Sequence, residues 1–374
     1  MKHVRLASAA LLTSVSVAQA GGVDRTGQSV AVIFEAGNYL ELSFGSVAPS
    51  VSGIGTAASG TPASSGDMSS SFTQFSGAYK HSFGNGWDAA VIFDQPFGAA
   101  VDYPAAQPYY ARGSVANLAA DALTAVLKYK LPSDVSLYGG LRYQTFTASA
   151  TTPFITLDPT IPTAPYAVKG AKDGAFGYLV GAAYERPDIA LRVALTYNSK
   201  IKHALDTLET SAFGGPVRSV TPVHTPQSVN LDFQTGVAAN TLVFGNIRWV
   251  DWSDFDISPT VYRLITGEPL VSYRKDTVSY TLGIGRKLND TWSIAGTIGY
   301  EEPMYGFSSN LGPTDGYISY GLGATYTKDQ MKVTAGVRYV DIGDTQTTLG
   351  GGVAAADFKD NHAIAFGLKI GYTF

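Results

Sequence analysis

From residue 39 to the C-terminus the chain alternates large apolar side chains with small or polar ones. A period of two puts successive side chains on opposite faces of a β-strand. The last stretch is the clearest. Ile364, Phe366, Leu368, Ile370, Tyr372 and Phe374 share one face, and Ala363, Ala365, Gly367, Lys369, Gly371 and Thr373 share the other. Ile189–Tyr197, Trp292–Tyr300, Ile318–Tyr326 and Lys332–Tyr339 repeat the pattern. Tight connections fall at Gly84-Asn85-Gly86, Pro132-Ser133-Asp134, Arg186-Pro187-Asp188, Ala239-Asn240, Asn289-Asp290 and Lys328-Asp329-Gln330. They alternate with long connections near 52–69, 96–117, 151–173, 203–227, 258–274, 303–315 and 343–358, which predicts about fourteen strands with both ends on the short-turn side.

Two all-β architectures carry such a pattern. In a soluble sandwich the large residues face a core; in a transmembrane barrel they face lipid and the small ones a lumen. Composition separates them. Only 15% of residues are charged, against about a quarter in soluble domains, and 41 are Gly. The smaller faces carry Gly, Ala, Ser and Thr in place of the Lys and Glu of a solvated sheet. Tyr and Trp recur near strand ends, where their amphipathic rings suit a membrane interface. Short turns on one side and long loops on the other, with an even strand count, are the plan of outer-membrane barrels, and lipid forbids an open strand edge. The reading is an all-β, transmembrane antiparallel β-barrel of about 14 strands over residues 39–374. No apolar run is long enough for a membrane-spanning helix.

Residues 1–20 read as a signal peptide: Lys2, His3 and Arg5 precede an apolar segment and Ala18-Gln19-Ala20. Residues 21–38 then form a short N-terminal segment ahead of the first strand. The terminal Gly371-Tyr-Thr-Phe374 has the form of the signal read by the barrel assembly machinery, with Phe374 last. These features predict the outer membrane of a Gram-negative bacterium, with its lipid and lipopolysaccharide as surroundings. Net charge is −4 with no basic tract, so no nucleic acid is expected as a partner. With no Cys, a disulfide framework, a thiol nucleophile and a Cys-ligated zinc are excluded.

Several segments resemble the FadL/TodX family of outer-membrane transporters for long-chain fatty acids and other hydrophobic compounds. Tyr39–Gly53 is similar to that family's first strand, and Asp94-Gln-Pro-Phe-Gly98 falls where its third strand is kinked. Ala183–Tyr197 with Asn198–Lys202 resembles its central hairpin. Thr225-Pro-Gln-Ser228 followed by Arg248-Trp-Val-Asp-Trp-Ser-Asp-Phe255 is the most specific match. The resemblance implies a plugged barrel, passive transport of a hydrophobic small molecule and a lateral exit. One departure stands out: the family's hatch of roughly forty residues with an Asn-Pro-Ala motif is shortened here to residues 21–38, which the resemblance makes a short N-terminal hatch or plug segment, with Phe34-Glu-Ala-Gly-Asn38 near the motif's place.

Such a transporter needs an apolar landing site, a partly apolar lumen site and a way into the bilayer. In the long connections Phe154, Ile155, Leu157, Leu205, Leu208 and Phe213 are candidate groove residues, or a lid packed on itself. Pro96 removes a ladder N–H from an otherwise regular strand, so Asp94, Gln95, Pro96, Phe97 and Gly98 either end the strand in a loop or, as the resemblance implies, form a candidate lateral opening, with Phe97 also a ligand contact. Alternation turns Arg142, Arg192 and Arg338 into the lumen, where each meets a substrate carboxylate or a lumen acid such as Glu301. Val32, Ile33 and Phe34 of the hatch touch substrate or pack the plug against the wall.

Catalysis finds little support. A lipase of this class needs a Ser–His pair on the lipid face; only His362, near the start of the last strand, could serve, and it has no compelling Ser partner. Asp251, Asp254 and Asp256 read as solvated loop acids in preference to a calcium site. The expectation is no enzyme, no metal and no cofactor. Two rivals remain: a general diffusion pore for polar solutes, and a non-transporting barrel whose loops bind a partner.

Overall fold

The computed structural model describes residues 22–60, 62–153, 164–350 and 352–374. The predicted signal peptide and the loop residues Phe154, Ile155 and Leu157 lie outside the described residues. Fourteen antiparallel strands form one closed barrel. In chain order they are β1 (Tyr39–Ser50), β2 (Phe72–Gly84), β3 (Trp87–Asp94 with Gly98–Asp102), β4 (Val115–Lys130) and β5 (Val135–Thr152). Next come β6 (Tyr166–Gly170 with Asp173–Arg186), β7 (Leu191–Asn198 with Ile201–Ser211), β8 (Gly214–Thr225 with Ser228–Ala238), β9 (Thr241–Val250) and β10 (Thr277–Lys287). The set ends with β11 (Trp292–Glu301), β12 (Tyr317–Lys328), β13 (Met331–Ile342) and β14 (Asn361–Thr373).

Closure is made by β1 and β14, paired without interruption from Tyr39↔Thr373 to Ser50↔His362. The first and last strands thereby leave no open edge between them, as lipid requires. Which face is apolar separates a barrel in lipid from a sandwich. Phe366 is 59% exposed and Leu322 67%, while Ala363 and Ala365 on the opposite face are fully buried. The large residues point outward and the small ones into the lumen. At the short-turn end Asn85, Asp134, Asn240 and Asp329 adopt positive φ, the left-handed conformation that Asn, Asp and Gly tolerate in two-residue hairpins.

One predicted connection is not a loop. Residues 203–227 form the upper parts of β7 and β8, joined by a tight turn at Ala212 and Phe213. The segment has polar residues on both faces, such as Lys202 and Asp206 against His203, Thr207 and Glu209, because this hairpin rises past the apolar belt. Without an apolar outer face, alternation of hydrophobicity fades there although the strand geometry continues.

Two other long connections cap the barrel. Residues 251–276 contribute a small hairpin and the seven-residue helix α1 (Thr260–Thr266). Glu209, fully buried on β7, holds the start of this helix: its carboxylate accepts the N–H of Val261 at 2.9 Å and of Tyr262 at 3.0 Å, and the Tyr166 hydroxyl at 2.8 Å. Residues 302–316 complete the lid, with Phe307–Ser308 joined to Thr345–Thr348, Ala354–Phe358 and Gly53–Gly55 in an external sheet.

Residues 22–38 enter the lumen as a plug. Val32 and Ile33 lie in a 3-10 turn and pack with Val30, Tyr138 and Leu179. The Phe34 ring meets Tyr138 edge-on and lies under the Arg192 guanidinium, 4.8 Å from its centroid.

Candidate functional site

Strand β3 is broken where Pro96 denies it a ladder donor. Below the break Asp94 pairs with Ala122 of β4; above it Gly98 pairs with Ala119. One extra residue has been inserted on β3, the count that defines a bulge. On the other side the ladder between β2 and β3 ends at Gly77↔Phe93. The upper part of β3 turns its free edge to loop residues, with the Asp102 N–H donating to the Met68 carbonyl at 2.9 Å. A seam is left between residues 72–76 of β2 and 95–98 of β3.

Two side chains span that seam. From outside, Gln95 Oε1 accepts the Phe75 N–H at 3.1 Å, and its amide group donates to Asp121 at 3.2 Å. From inside comes Arg25 of the plug. Its Nε donates to the Gly98 carbonyl at 3.1 Å and its guanidinium carbon sits 4.0 Å from the centre of the Phe72 ring. A Cβ on Gly98 would stand 2.3 Å from that carbon, so the absence of a side chain at 98 makes room for Arg25. The plug also pairs with the broken strand as an added strand: the Arg25 N–H donates to the Pro96 carbonyl at 2.7 Å and the Gly98 N–H to the Val23 carbonyl at 2.8 Å.

Across the lumen the same plug segment is held by Arg248 of β9. Its guanidinium donates to Asp24 at 2.5 Å, to the Gly27 carbonyl at 3.1 Å, to Gln28 at 3.2 Å and to Asn230 at 2.8 Å. Five donors in a rigid plane suit this cluster of acceptors as a lysine would not.

Above the plug, against the inner side of broken β3, lies a cavity of about 1010 Å³, counting the part open to solvent. Val23 contributes to its floor, Ala100, Leu118 and Leu205 to its walls, and Leu270 and Leu311 to the lid. Its polar lining is hydroxyl and amide, as in Thr207, Thr221 and Asn117, and no Asp, Glu, Lys or Arg borders it among the described residues. Tyr273 in the lid is held above the ordinary tyrosine range by burial and by the charge of Glu301, so its phenol stays neutral. A second space, about 640 Å³ beside the plug, has a mixed lining that includes Glu35, Glu41, Asp94 and Lys369.

Of the residues singled out from the sequence, Leu205 lines the apolar cavity and Phe97 packs beneath it against Trp252. Asp94 and Phe97 are buried at the break, with Asp94 accepting the Thr26 hydroxyl at 2.7 Å. Val32, Ile33 and Phe34 belong to the body of the plug and are apart from the cavity lining. Arg142 lies lower on β5 than the cavity-lining Ala148, and donates to Thr124 and Asn198. Arg192 donates to Gln234, and Arg338 is buried in the lumen wall; neither borders the cavity. Leu208 is half-buried and Phe213 stands exposed at the tip of the β7–β8 hairpin. Asp254 pairs with Lys200 at 2.5 Å. Arg25, Gln95 as a spanning residue, and Arg248 as the plug's anchor went unread. Arg248 was legible as a lumen-facing cation by alternation, whereas nothing local to Arg25 points to Gly98 or Phe72.

A model of the outer membrane protein transport family (OMPP1/FadL/TodX) matches residues 75–374. No curated protein matches the chain by sequence. Among solved structures it is similar to a Pseudomonas aeruginosa FadL homologue, with a TM-score of 0.74, 13% identity and 92% of each chain covered. It is also similar to the Pseudomonas putida toluene transporter TodX, with a TM-score of 0.65, 11% identity and 98% of each chain covered. The Ralstonia pickettii toluene transporter TbuX gives 0.65, 11% identity and 99% of each chain. At these identities the structural likeness is one of fold.

Proposed function

The chain belongs to the OMPP1/FadL/TodX family of outer-membrane transport proteins, and from that premise we propose that it passes uncharged hydrophobic small molecules, hydrocarbons in preference to fatty acids, from the cell exterior into the outer leaflet. The observation that carries this reading is the apolar cavity set against the broken strand β3 with no charged side chain in its lining. Each CH₂ buried there contributes roughly 0.8 kcal/mol, so an alkyl or aryl ligand is held without any specific polar contact. A carboxylate placed in the same space has no cation to meet, and burying an unpaired charge costs several kcal/mol. Two of the solved relatives are named toluene transporters, which agrees with a neutral ligand.

Delivery follows from the seam. A ligand moving sideways past Arg25 and Gln95 enters the bilayer without recrossing water. The plug, tied to both β3 and β9, weighs against a general pore for polar solutes, which requires an open lumen.

The test is uptake of a labelled aromatic hydrocarbon and of a labelled long-chain fatty acid by cells lacking the protein. They are complemented with the natural chain or with one in which Gln95-Pro96-Phe97 is replaced by two regular strand residues. The natural chain is expected to restore hydrocarbon uptake at least tenfold over fatty acid, and the sealed strand to reduce it. Equal uptake of both ligands overturns the ligand class; undiminished uptake through the sealed strand overturns the lateral exit.

A further inference from the structure

We infer that the barrel has a second side portal into the same cavity, between β6 and β7, latched by Asp173; the inference rests on the proposed transport of neutral hydrophobic ligands. The ladder joining these strands runs from Leu191↔Arg186 up to Asn198↔Leu179 and resumes, in unchanged register, at Thr207↔Gly170. Among the described residues no ladder pairing joins residues 172–177 to residues 200–205 in between.

The cause is a mismatch of pleat. In β7 the inward positions change from even to odd between Asn198 and Ile201, both buried. Strand β8 makes the same change directly opposite, between Thr225 and Ser228 at Pro226, so β7 and β8 stay in phase. Strand β6 changes phase only between Gly170 and Asp173, which the register sets against residues 204–207. Across the intervening stretch an inward residue on one strand faces an outward residue on the other, and no ladder can form. At membrane depth, unpaired backbone is tolerated only where protein covers it or it lines a cavity.

Asp173 closes this stretch from β6. Its Oδ2 accepts the Ala204 N–H of β7 at 3.3 Å and lies 3.0 Å from His203 Nδ1. The imidazole stacks on Phe146, its other nitrogen 3.1 Å from Gln144 Oε1. Ile201 folds over Gly177, where a Cβ would stand 2.5 Å from it. Gly170, Leu205 and Thr207, at the upper end of the stretch, line the apolar cavity.

The two breaches are linked through ladder register, since Ala122 beside the β3 break pairs with Gln144, and Gln144 pairs with Ala175. Outside, the β6–β7 mouth has Phe176 and Tyr178 below and Lys172, paired to Asp121 at 3.3 Å, above. Aromatic rings under charged groups mark a lipid–water interface, so the portal faces the outer leaflet.

The inference is tested with a neutral aryl diazirine in protein reconstituted in lipid nanodiscs, with adducts mapped by mass spectrometry. Adducts on Leu118 report the cavity, and adducts on Ile201 and Ala175 report the seam. Seam adducts competed by unlabelled toluene, and increased several-fold in Asp173→Ala, are expected; Asp173→Asn, which keeps an acceptor for Ala204, should remain near the natural level. Adducts on Leu118 without adducts on Ile201 or Ala175 overturn the portal and leave the proposed function standing. No adduct on Leu118 overturns both. In cells, the chain with sealed β3 should retain a fraction of hydrocarbon uptake, about half if the routes are equal, that rises with Asp173→Ala. Failure of that variant to raise it overturns the portal as a transport route.

Discussion

Gln95 accepts the Phe75 N–H at 3.1 Å through its side chain, across two strands whose main-chain ladder has already ended at Gly77↔Phe93. A side chain stands in for missing main-chain pairing, and a side chain can rotate away where a ladder cannot. A neutral hydrogen bond is worth about 1 kcal/mol net, so Gln95→Ala should raise the population of the open seam about fivefold. The initial rate of labelled toluene uptake is expected to rise by a similar factor. An unchanged rate means that Gln95 does not limit passage.

Arg248 is the plug's main anchor. Arg248→Ala leaves Asp24 without its ion-pair partner and Asn230 Oδ1 without the guanidinium donor, while the Gly27 carbonyl keeps only Asn230 Nδ2 and Gln28 Oε1 only the Ser228 hydroxyl. Breaking a buried pair by removing one partner costs about 3–5 kcal/mol. Residues 22–28 should then exchange amide hydrogens much faster, and liposomes carrying the variant should swell in small sugars where the natural protein does not. Unchanged protection of residues 22–28 would show that the pairing to Pro96 and Gly98 holds the plug alone.

Filling the cavity separates ligand binding from folding. Ala148 lines it on β5. Ala148→Trp should place an indole in the empty volume and abolish toluene uptake, while the heat-modifiable migration of the folded barrel on gels stays as in the natural protein. Retained uptake with a folded barrel would move the binding site elsewhere.

The lid helix depends on one carboxylate. Glu209→Ala removes the acceptor for the Val261 and Tyr262 N–H groups and for the Tyr166 hydroxyl. Leaving such groups unpaired costs about 1–3 kcal/mol each. Hydrogen exchange at Val261 and Tyr262 is expected to quicken by tenfold or more with the barrel strands unaffected. Equal protection would show that packing of Tyr262 on Tyr166 suffices to hold the helix.

Much of the architecture was written locally. Alternation along Asn361–Thr373 placed Phe366 and Leu368 outside and Ala363 and Ala365 inside, because a strand's two faces follow from its own backbone. Asn85, Asn240 and Asp329 marked turns, since their positive φ is a property of the single residue. Pro96 marked the break in β3 for the same reason: a missing N–H is a covalent fact. Other features were settled only by the closed barrel. The upper β7–β8 hairpin escaped because its outer face is polar, and hydrophobic periodicity reports burial, not strand geometry. The approach of Arg25 to Phe72, the anchoring of the plug by Arg248 and the uncharged lining of the cavity each join residues far apart in the chain. The phase mismatch of β6 against β7 is a relation between two bends, at Ala171–Lys172 and at Ser199–Lys200, and neither bend specifies the other. Local sequence sets which way each side chain points, and pairing across the barrel decides which side chains meet.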